Sequence, residues 1–165
     1  MSPLVTHLSK YAAYHRDQRN VATHMVGIPL IVLAVAILLS RAQWTVGLLT
    51  ITPAVVIWVA TTLFYVRLDV AFGAAMAVFY GLAVWVGFVT AAQPTAIWLT
   101  AGLGAFAVGW LIQFIGHAYE GRKPAFLDDL ASLAIGPLFI VAEAAFAVGL
   151  RRETYHEIEN AVSAA

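Results

Sequence analysis

Two clusters of polar side chains interrupt an otherwise apolar chain, and their residue types are those that bind metal ions. The first cluster contains His15 and His24, and the second contains Gln113, His117 and Glu120. The spacing of the second cluster, i, i+4 and i+7, places its three side chains on one stripe of a helix. Imidazole and carboxylate groups bind Fe(II), Zn(II), Mn(II) and Ni(II), and two histidines with one carboxylate are typical of non-haem iron sites that use O2. The pattern therefore indicates a metal site without selecting the metal.

His15 and His24 can share that site only if the chain bends between them. They are nine residues apart, which puts them half a turn out of phase on a straight helix. Asp17 and Asn20 are residue types that cap helix N-termini, and a helix that begins at either one would supply the bend. The chain has no cysteine, so thiolate metal ligands and a cysteine nucleophile are excluded.

The rest of the chain is too apolar for an ordinary soluble domain. Of its 165 residues, 62% are hydrophobic and 11% are charged, and the mean hydropathy is +0.85. Soluble domains are about 45–50% apolar and about 25% charged, and disordered chains are more polar still. Nine basic side chains balance nine acidic ones, so the charge gives no reason to bind nucleic acid. These numbers indicate an integral membrane protein with no nucleic-acid partner.

Five apolar stretches approach the roughly 20 residues that a helix needs to cross a bilayer. They cover about 22–39, 44–66, 70–92, 95–115 and 130–150. We predict an all-α integral membrane bundle of four to five transmembrane helices, which forms a single domain over residues 1–165. Pro53 is expected to kink the second helix. After Gly136-Pro137, the fifth segment is expected to be a short helix or a re-entrant hairpin.

Short connections between these stretches place both polar clusters on one face of the membrane. Links of two to four residues make consecutive helices run antiparallel, so the start of the first helix and the end of the fourth lie together. The Lys and Arg residues are concentrated on that face, which the positive-inside bias makes cytoplasmic. They are Lys10, Arg16, Arg19, Arg67, Arg122 and Lys123, against Arg41 in the opposite short loops. We expect the N-terminus and the metal site on the cytoplasmic side of a bacterial inner membrane.

The two clusters resemble those of the membrane-embedded 2-hydroxy fatty acid dioxygenases, a family with fungal and bacterial members. The matching motifs are Tyr14-His15 with Asn20, His24 and Pro29; positions 110–117 (WLIQFIGH); positions 120–130 (EGRKPAFLDDL); and Pro137-Leu138-Phe139 with Glu143. Their order, their spacing and the chain length all match, so the resemblance extends over nearly the whole chain. One position departs from the family pattern, because Asp129 stands where an asparagine is expected.

This resemblance implies an Fe(II)-dependent oxygenase that acts on a 2-hydroxy long-chain fatty acid within membrane lipid. Such an enzyme consumes O2 and releases a fatty acid one carbon shorter, an α-oxidation with loss of the carboxyl carbon. The family's histidines are its expected iron ligands, and they correspond here to His15, His24 and His117. Fe(II) is thus the expected cofactor, with zinc as an alternative occupant of the purified protein.

Other polar residues of the chain are assigned catalytic or supporting roles. Glu120 and Glu143 are expected catalytic carboxylates, and with Asp128 they are candidates for a fourth ligand or for hydrogen bonds that orient the imidazoles. Further hydrogen-bond partners are expected at Tyr14, Asn20 and Gln113. The substrate carboxylate is expected to bind a cation, and arginine suits this task because it forms two parallel hydrogen bonds. The candidate cations are Arg16, Arg19, Arg122 and Lys123.

Two other functions remain open on the sequence. A zinc-dependent hydrolase of membrane lipids would use a similar set of ligands. A non-enzymatic transporter or scaffold would bind no metal tightly, and a transporter would carry polar residues across the bilayer. The polar residues here gather at one face, and Glu143 is the one charge deep in a predicted span. This distribution argues against transport, because intramembrane charges mark ion and substrate pathways.

Overall fold

Seven helices and one short hairpin make up the described part of the chain. The computed structural model describes residues 1–124, 129 and 131–164. The elements are α1 (Pro3–Ala13), α2 (Gln18–Leu39), β1 (Trp44–Val46), β2 (Leu49–Ile51), α3 (Pro53–Leu68), α4 (Val70–Ala91), α5 (Thr95–Glu120), α6 (Ser132–Ala147) and α7 (Arg152–Ser163). The all-α prediction is confirmed, with the hairpin as a minor addition.

Three of these helices are long and apolar enough to cross a membrane. They are α2, α4 and α5, with 22, 22 and 26 residues. The helix α3 is apolar but has 16 residues, which at about 1.5 Å per residue falls short of a hydrocarbon core about 30 Å thick. The helices α6 and α7 form a pair bent by 119° that has the composition of one broken span. The described residues therefore contain three candidate spans, or four if the bent pair counts as one.

Glycines allow α2 and α5 to pack tightly against each other. At Gly116 of α5, an added Cβ would lie 2.0 Å from Thr23 Oγ1 and 2.5 Å from Asn20 Oδ1 of α2. At Gly27 of α2, an added Cβ would lie 2.4 Å from Gln113 Nε2 of α5. Small residues at such contacts let membrane helices approach closely. This approach brings the two polar clusters of the sequence together at one end of the helix pair.

Pro53 begins α3, so the kink expected at this residue is wrong. Thr52 precedes it as the N-cap, and its Oγ1 accepts a hydrogen bond from Val55 N at 3.2 Å. Proline suits the first helical position because its missing N–H would have no helical partner there. The residues before Thr52, which the sequence placed in the same span, form an antiparallel hairpin in which Trp44 pairs with Ile51.

The fifth apolar segment turns at Gly149, not at Gly136-Pro137. Both residues of that dipeptide lie inside α6. The helical path is interrupted between α6 and α7, where Gly149 has a φ of 79° and Arg151 a φ of 56°. Glycine adopts this left-handed conformation at little cost. The guanidinium of Arg151 binds the carboxylate of Asp69, the N-cap of α4. The segment is short and bent as expected, but the turn comes thirteen residues after Gly136.

The N-terminal helix α1 packs over the end of the bundle that carries the polar clusters. It begins after its N-cap Ser2, whose Oγ accepts a hydrogen bond from Val5 N at 3.3 Å. Its apolar face buries Leu4, Val5 and Leu8 in the core shared with α6 and α7. This helix was not predicted from hydropathy, because its apolar stripe is far shorter than a membrane span. Its C-terminal end leads directly into the bend before α2.

Candidate metal centre

Three buried histidines meet where α1, α2 and α5 converge. His15 follows α1, His24 lies near the start of α2, and His117 lies near the end of α5. Their exposed fractions are 4%, 1% and 7%, and one ring nitrogen from each lies within 4.8 Å of the other two. Within residues 1–124, 129 and 131–164, this is the one group of three side chains placed to hold a metal ion. It is the same triad that the family resemblance implies.

The rings of His15 and His24 are oriented by main-chain carbonyls. Nδ1 of His15 donates a hydrogen bond to the Tyr11 carbonyl at 2.8 Å, and Nδ1 of His24 donates to the Asn20 carbonyl at 2.9 Å. A neutral imidazole that donates from Nδ1 presents a lone pair at Nε2. Nε2 of His15 and Nδ1 of His117 are buried and have no hydrogen-bond partner in the described ranges. Because unpaired buried polar atoms are costly, these nitrogens fit a site for a metal ion.

Burial keeps His15 in the neutral form that binds metals. Loss of solvent lowers the pKa of His15 from 6.5 to about 4, and this effect outweighs the hydrogen bond to the Tyr11 carbonyl, which raises the pKa. At neutral pH the imidazole is therefore uncharged, and no proton has to leave before a cation binds. A neutral imidazole suits Fe(II), Zn(II) and other divalent transition metals.

Asp17 supplies the bend that brings His15 and His24 together. It is the N-cap of α2, with an extended backbone, and its Oδ1 accepts a hydrogen bond from Arg19 N at 2.8 Å. The chain changes direction here, so the centroids of the two imidazole rings lie 4.5 Å apart. Of the two caps that the sequence allowed, Asp17 is confirmed and Asn20 lies one turn inside the helix.

Glu120 fastens this bend to the end of α5. Its Oε1 accepts a hydrogen bond from Arg16 N at 3.0 Å, and its Oε2 accepts from Asp17 N at 2.9 Å and from Asn20 Nδ2 at 3.0 Å. These donors surround the start of α2, where free N–H groups and the helix dipole favour a carboxylate. Glu120 does not belong to the metal-binding group. The structure places it beside the centre as a group that positions the histidine-bearing elements.

Asn20 and Gln113, both candidate hydrogen-bond partners in the sequence, are buried amides next to the histidines. Asn20 is fully buried, and its main-chain carbonyl accepts the hydrogen bond that orients the His24 ring. Gln113 is 5% exposed and stands one turn before His117 on α5. Its Nε2 lacks a hydrogen-bond partner among the described residues, and its side chain lines a cavity. A buried donor of this kind suits a ligand oxygen.

The aromatic side chains of Tyr11 and Phe139 enclose His15, and Tyr11 was not among the site residues predicted from the sequence. The Tyr11 ring stacks on His15 with centroids 4.1 Å apart and planes at 8°. Phe139 of α6 lies 5.0 Å from the Tyr11 ring and 5.9 Å from the His15 ring. The available signal was spacing, because Tyr11 precedes His15 by four residues and helical neighbours at that distance meet.

The predicted carboxylate-binding arginines lie at the surface around the centre. Arg16 forms an ion pair with Glu159 of α7 at 3.1 Å. The Arg19 guanidinium carbon lies 4.6 Å from the centroid of the Tyr119 ring of α5. Arg122 donates a hydrogen bond to the Ala13 carbonyl at 3.2 Å. None of these three arginines lines the cavity beside the histidines. The structure therefore does not bring them to the triad.

Tyr14 and Glu143 do not line the cavity beside the histidines. Tyr14 is half-buried and lines a second cavity between α1, α6 and α7. Glu143 is half-buried in α6 and interacts electrostatically with Glu159 and Arg16. Asp128 lies outside the described residues. Asp129, the departure from the family pattern, accepts a hydrogen bond from Ala131 N at 2.9 Å.

An apolar groove of about 440 Å³ runs from the histidines along α2. His24, Gln113 and His117 line one end of it. The remaining lining is dominated by aliphatic and aromatic side chains, among them Ile28, Val32, Val35 and Leu39 of α2, Ala54 of α3 and Phe106 of α5. Cavities of this volume, with a few polar groups at one end, are typical of sites for small molecules.

The fold and the centre together define a helical protein with membrane-length helices and a buried three-histidine site that can bind a metal ion. The chain belongs to the family described as "2-hydroxy-palmitic acid dioxygenase Mpo1-like", whose family model matches residues 1–148. It is 29% identical over 162 residues to the 2-hydroxy-palmitic acid dioxygenase MPO1 of Saccharomyces cerevisiae. The aligned region covers 94% of this chain and 90% of the yeast protein. No solved structure matches. The resemblance inferred from the two polar clusters is confirmed, and with it the assignment to a class of dioxygenases.

Proposed function

We propose that this chain is a non-haem Fe(II) dioxygenase that shortens a 2-hydroxy long-chain fatty acid by one carbon. The observation that carries the proposal is the convergence of three buried imidazoles at the polar end of an apolar groove. Family membership supports the use of O2, and the name of the yeast relative supports the substrate class. The unpaired nitrogens of His15 and His117 support a metal at this point.

The proposed reaction is an α-oxidation that needs no reductant other than the substrate. The acid R–CH(OH)–COOH and O2 give R–COOH, CO2 and water, so the bond between C1 and C2 breaks. The four electrons lost by the substrate reduce O2. Fe(II), when bound, supplies the redox chemistry and the Lewis acidity for this exchange. Zinc lacks redox chemistry, which is why iron is preferred here.

The residues of the chain hold the substrate head and keep water away from it. Gln113 Nε2 is the buried donor beside His24 and His117, and it donates a hydrogen bond to an oxygen of the substrate. Tyr11 and Phe139 pack around His15 and exclude water on that side. A dry site strengthens such polar interactions.

We also infer that the centre lies near the cytoplasmic face of a bacterial inner membrane. Three membrane-length helices support the membrane assignment. The Lys and Arg residues of the chain lie mainly at the end that carries the histidines, and this bias favours the cytoplasmic side. A fatty acid in the inner leaflet would present its carboxyl end at that depth.

Oxygen consumption with 2-hydroxyhexadecanoate tests the proposal. The protein loaded anaerobically with Fe(II) is expected to consume O2 and form pentadecanoate in equal amounts. His117→Ala removes a proposed metal ligand, so the rate of O2 consumption should fall by more than about 100-fold. Loss of a group that only orients a ligand typically costs about 10–100-fold. His156→Ala, a change at an exposed histidine of α7, serves as the control and should keep the wild-type rate.

A zinc-dependent lipid hydrolase is the second candidate, because three imidazoles with a free position also form catalytic zinc sites. It would release fatty acids from ester lipids without O2, and His117→Ala would abolish that release. If neither activity is found and no metal binds tightly, the transporter or scaffold alternative replaces both enzymes.

A further inference from the structure

We propose that the far end of the groove, formed by Ala36, Leu39 and Ala54, sets the length of the acyl chain that the enzyme accepts. This inference rests on the proposed function and assigns its specificity-determining residues. The histidine end of the groove carries Gln113 and the imidazoles, whereas these three far-end residues are aliphatic. A ligand with one polar head and a long apolar tail matches this distribution.

The length of the groove follows from the face of α2 that lines it. His24, Ile28, Val32, Val35 and Leu39 succeed one another on that face at helical spacing. The fifteen steps along the helix from His24 to Leu39 span about 22 Å at a rise of 1.5 Å per residue. An extended alkyl chain advances about 1.25 Å per carbon, the projection of a carbon–carbon bond of about 1.5 Å at a tetrahedral angle. The groove therefore accommodates about 16 to 18 carbons when the carboxyl end lies at the histidines.

Direct contact between α2 and α4 closes the groove at its far end. At Gly87 of α4, an added Cβ would lie 2.8 Å from the Ala36 carbonyl oxygen and 2.6 Å from Ser40 Oγ. Such contacts leave no room for a ligand between the two helices. Val84, about one turn closer to the histidines on α4, still lines the groove. Ala54, which is 3% exposed, adds the first turn of α3 to the closed end.

One flank of the groove is open on the surface that surrounds the candidate spans. Ile57 of α3, Phe106 of α5 and Leu133 of α6 line the groove and are also 42%, 38% and 50% exposed. A fatty acid dissolved in the bilayer can therefore slide in sideways without passing through water. A water-soluble substrate would have to cross apolar surface, so the opening favours a lipid occupant.

Competition among 2-hydroxy acids of different chain length measures where the groove ends. The Fe(II)-loaded protein in lipid nanodiscs receives an equimolar mixture of saturated 2-hydroxy acids of about 12 to 20 carbons, a range that includes lengths shorter and longer than the groove accommodates. Mass spectrometry of the products gives relative kcat/KM values. The wild type is expected to prefer about 16 to 18 carbons.

Two substitutions at the closed end should move this preference in opposite directions. Ala54→Leu extends the side chain by about 2.5 Å, or two carbon–carbon bonds, and is expected to shift the preferred length about two carbons shorter. Leu39→Ala removes the same length and should shift it about two carbons longer. The matched control is Ala60→Leu, the same change on an exposed part of α3, which should leave the preference unchanged.

Binding of saturated fatty acids to the metal-free protein gives a second readout that does not depend on turnover. The same shifts are expected in the chain length that binds most tightly. If wild-type turnover is absent while the binding shifts appear, the proposed reaction fails and the groove assignment stands. If the wild type turns over and both Ala54→Leu and Leu39→Ala keep its length preference in both assays, the groove assignment is wrong. Should Ala54→Leu fail to fold, Leu39→Ala alone decides.

Discussion

Glu120 accepts three hydrogen bonds at the start of α2, two from main-chain N–H groups and one from Asn20. The carbonyl of Asn20 in turn accepts the hydrogen bond that orients His24. Hydrogen bonds to charged groups contribute about 1.5–3 kcal/mol each. The carboxylate therefore holds the positions of two histidine-bearing segments although it is not one of the three side chains placed to hold a metal ion.

Glu120→Ala is expected to weaken metal binding without abolishing it. Loss of a group that orients ligands typically reduces metal affinity by about 10–100-fold. Glu120→Gln should lose less, because it keeps one oxygen acceptor. Titration of the metal-free protein with Fe(II) or Zn(II) measures the change, and Glu159→Gln at the exposed ion pair with Arg16 is the control. Wild-type affinity in Glu120→Ala would contradict the positioning role.

The three histidines that meet could be named from the sequence, but the hydrogen-bond partners of their neighbours could not. The histidines carry a recognisable pattern, because imidazole is rare in apolar spans and the motifs around it are specific. Glu120 shares a helix stripe with His117, and spacing alone left open whether its carboxylate would be a fourth ligand or would orient the imidazoles. In the structure the Glu120 carboxylate accepts hydrogen bonds from the main-chain N–H groups of Arg16 and Asp17, which precede α2 and have no helical partner. Tertiary proximity of this kind is not encoded in local spacing.

At the scale of the helices, the contact between α2 and α5 determines whether His24 and His117 meet. Gly116→Ala places a methyl group 2.0 Å from Thr23 Oγ1, so the helices must separate. We expect a loss of stability of about 1–3 kcal/mol, as in overpacked cores, together with weaker metal binding. Gly104→Ala on the same helix meets nothing within 4 Å and should be neutral or slightly stabilising. Thermal unfolding and metal titration of both variants check this, and equal behaviour of the two would contradict it.

The ion pair between Asp69 and Arg151 links the α3–α4 junction to the turn before α7. Burial alone would raise the pKa of Asp69, but the hydrogen bond from Phe72 N and the Arg151 guanidinium outweigh it and hold the pKa below its usual value of 3.8. A lowered folded-state pKa contributes stability above the usual value, and this contribution is lost as the pH falls through the folded-state pKa.

Asp69→Asn should therefore destabilise the protein at neutral pH but not in strong acid. The substitution keeps a helix-capping side chain and removes only the charge, so the expected loss at pH 7 is about 0.5–1 kcal/mol. Unfolding temperatures in detergent at a series of pH values give the difference from the wild type. Glu157→Gln on the exposed side of α7 is the control. A difference that stays constant down to acid pH would show that the charge of Asp69 is not responsible.

Helix boundaries were predictable where hydrophobicity alone sets them and failed where turn chemistry does. The helices α2, α4 and α5 follow the long apolar runs closely. Pro53 was interpreted as a kink, yet Thr52 caps the helix and makes proline its first residue. Pro137 is accommodated inside α6, so the turn falls at Gly149, where the backbone is left-handed.

At the scale of the whole molecule, the packing of α1 against α7 brings both ends of the chain to one face. The hairpin lies at the opposite end of α2, where Leu48 is fully exposed. The chain has no cysteine, so single cysteines introduced by Ser2→Cys, Ser163→Cys and Leu48→Cys report their own location. We expect an impermeant maleimide to label the first two only in inside-out vesicles and Leu48→Cys only in right-side-out vesicles. Labelling of the two terminal positions from opposite sides would contradict this arrangement.

The overall helical class follows from composition, but the path of the two terminal helices does not. The apolar excess of the chain excludes most alternatives to a membrane bundle. The helix α1 carries a short apolar stripe and polar residues, so nothing in its hydropathy distinguishes it from a surface segment. It becomes part of the site because α6 and α7 offer a surface for Leu4 and Leu8, and that surface exists only in the folded protein.

The central claim is that His15, His24 and His117 hold one iron ion. Its most direct test is the metal content of protein purified anaerobically without chelators and reconstituted with Fe(II), measured by mass spectrometry. We predict about one iron per chain in the wild type and in the control His156→Ala, as one three-imidazole site requires. His24→Ala and His117→Ala should retain almost none. Equal iron in these two variants and the wild type, or no iron in any of them, would contradict the account.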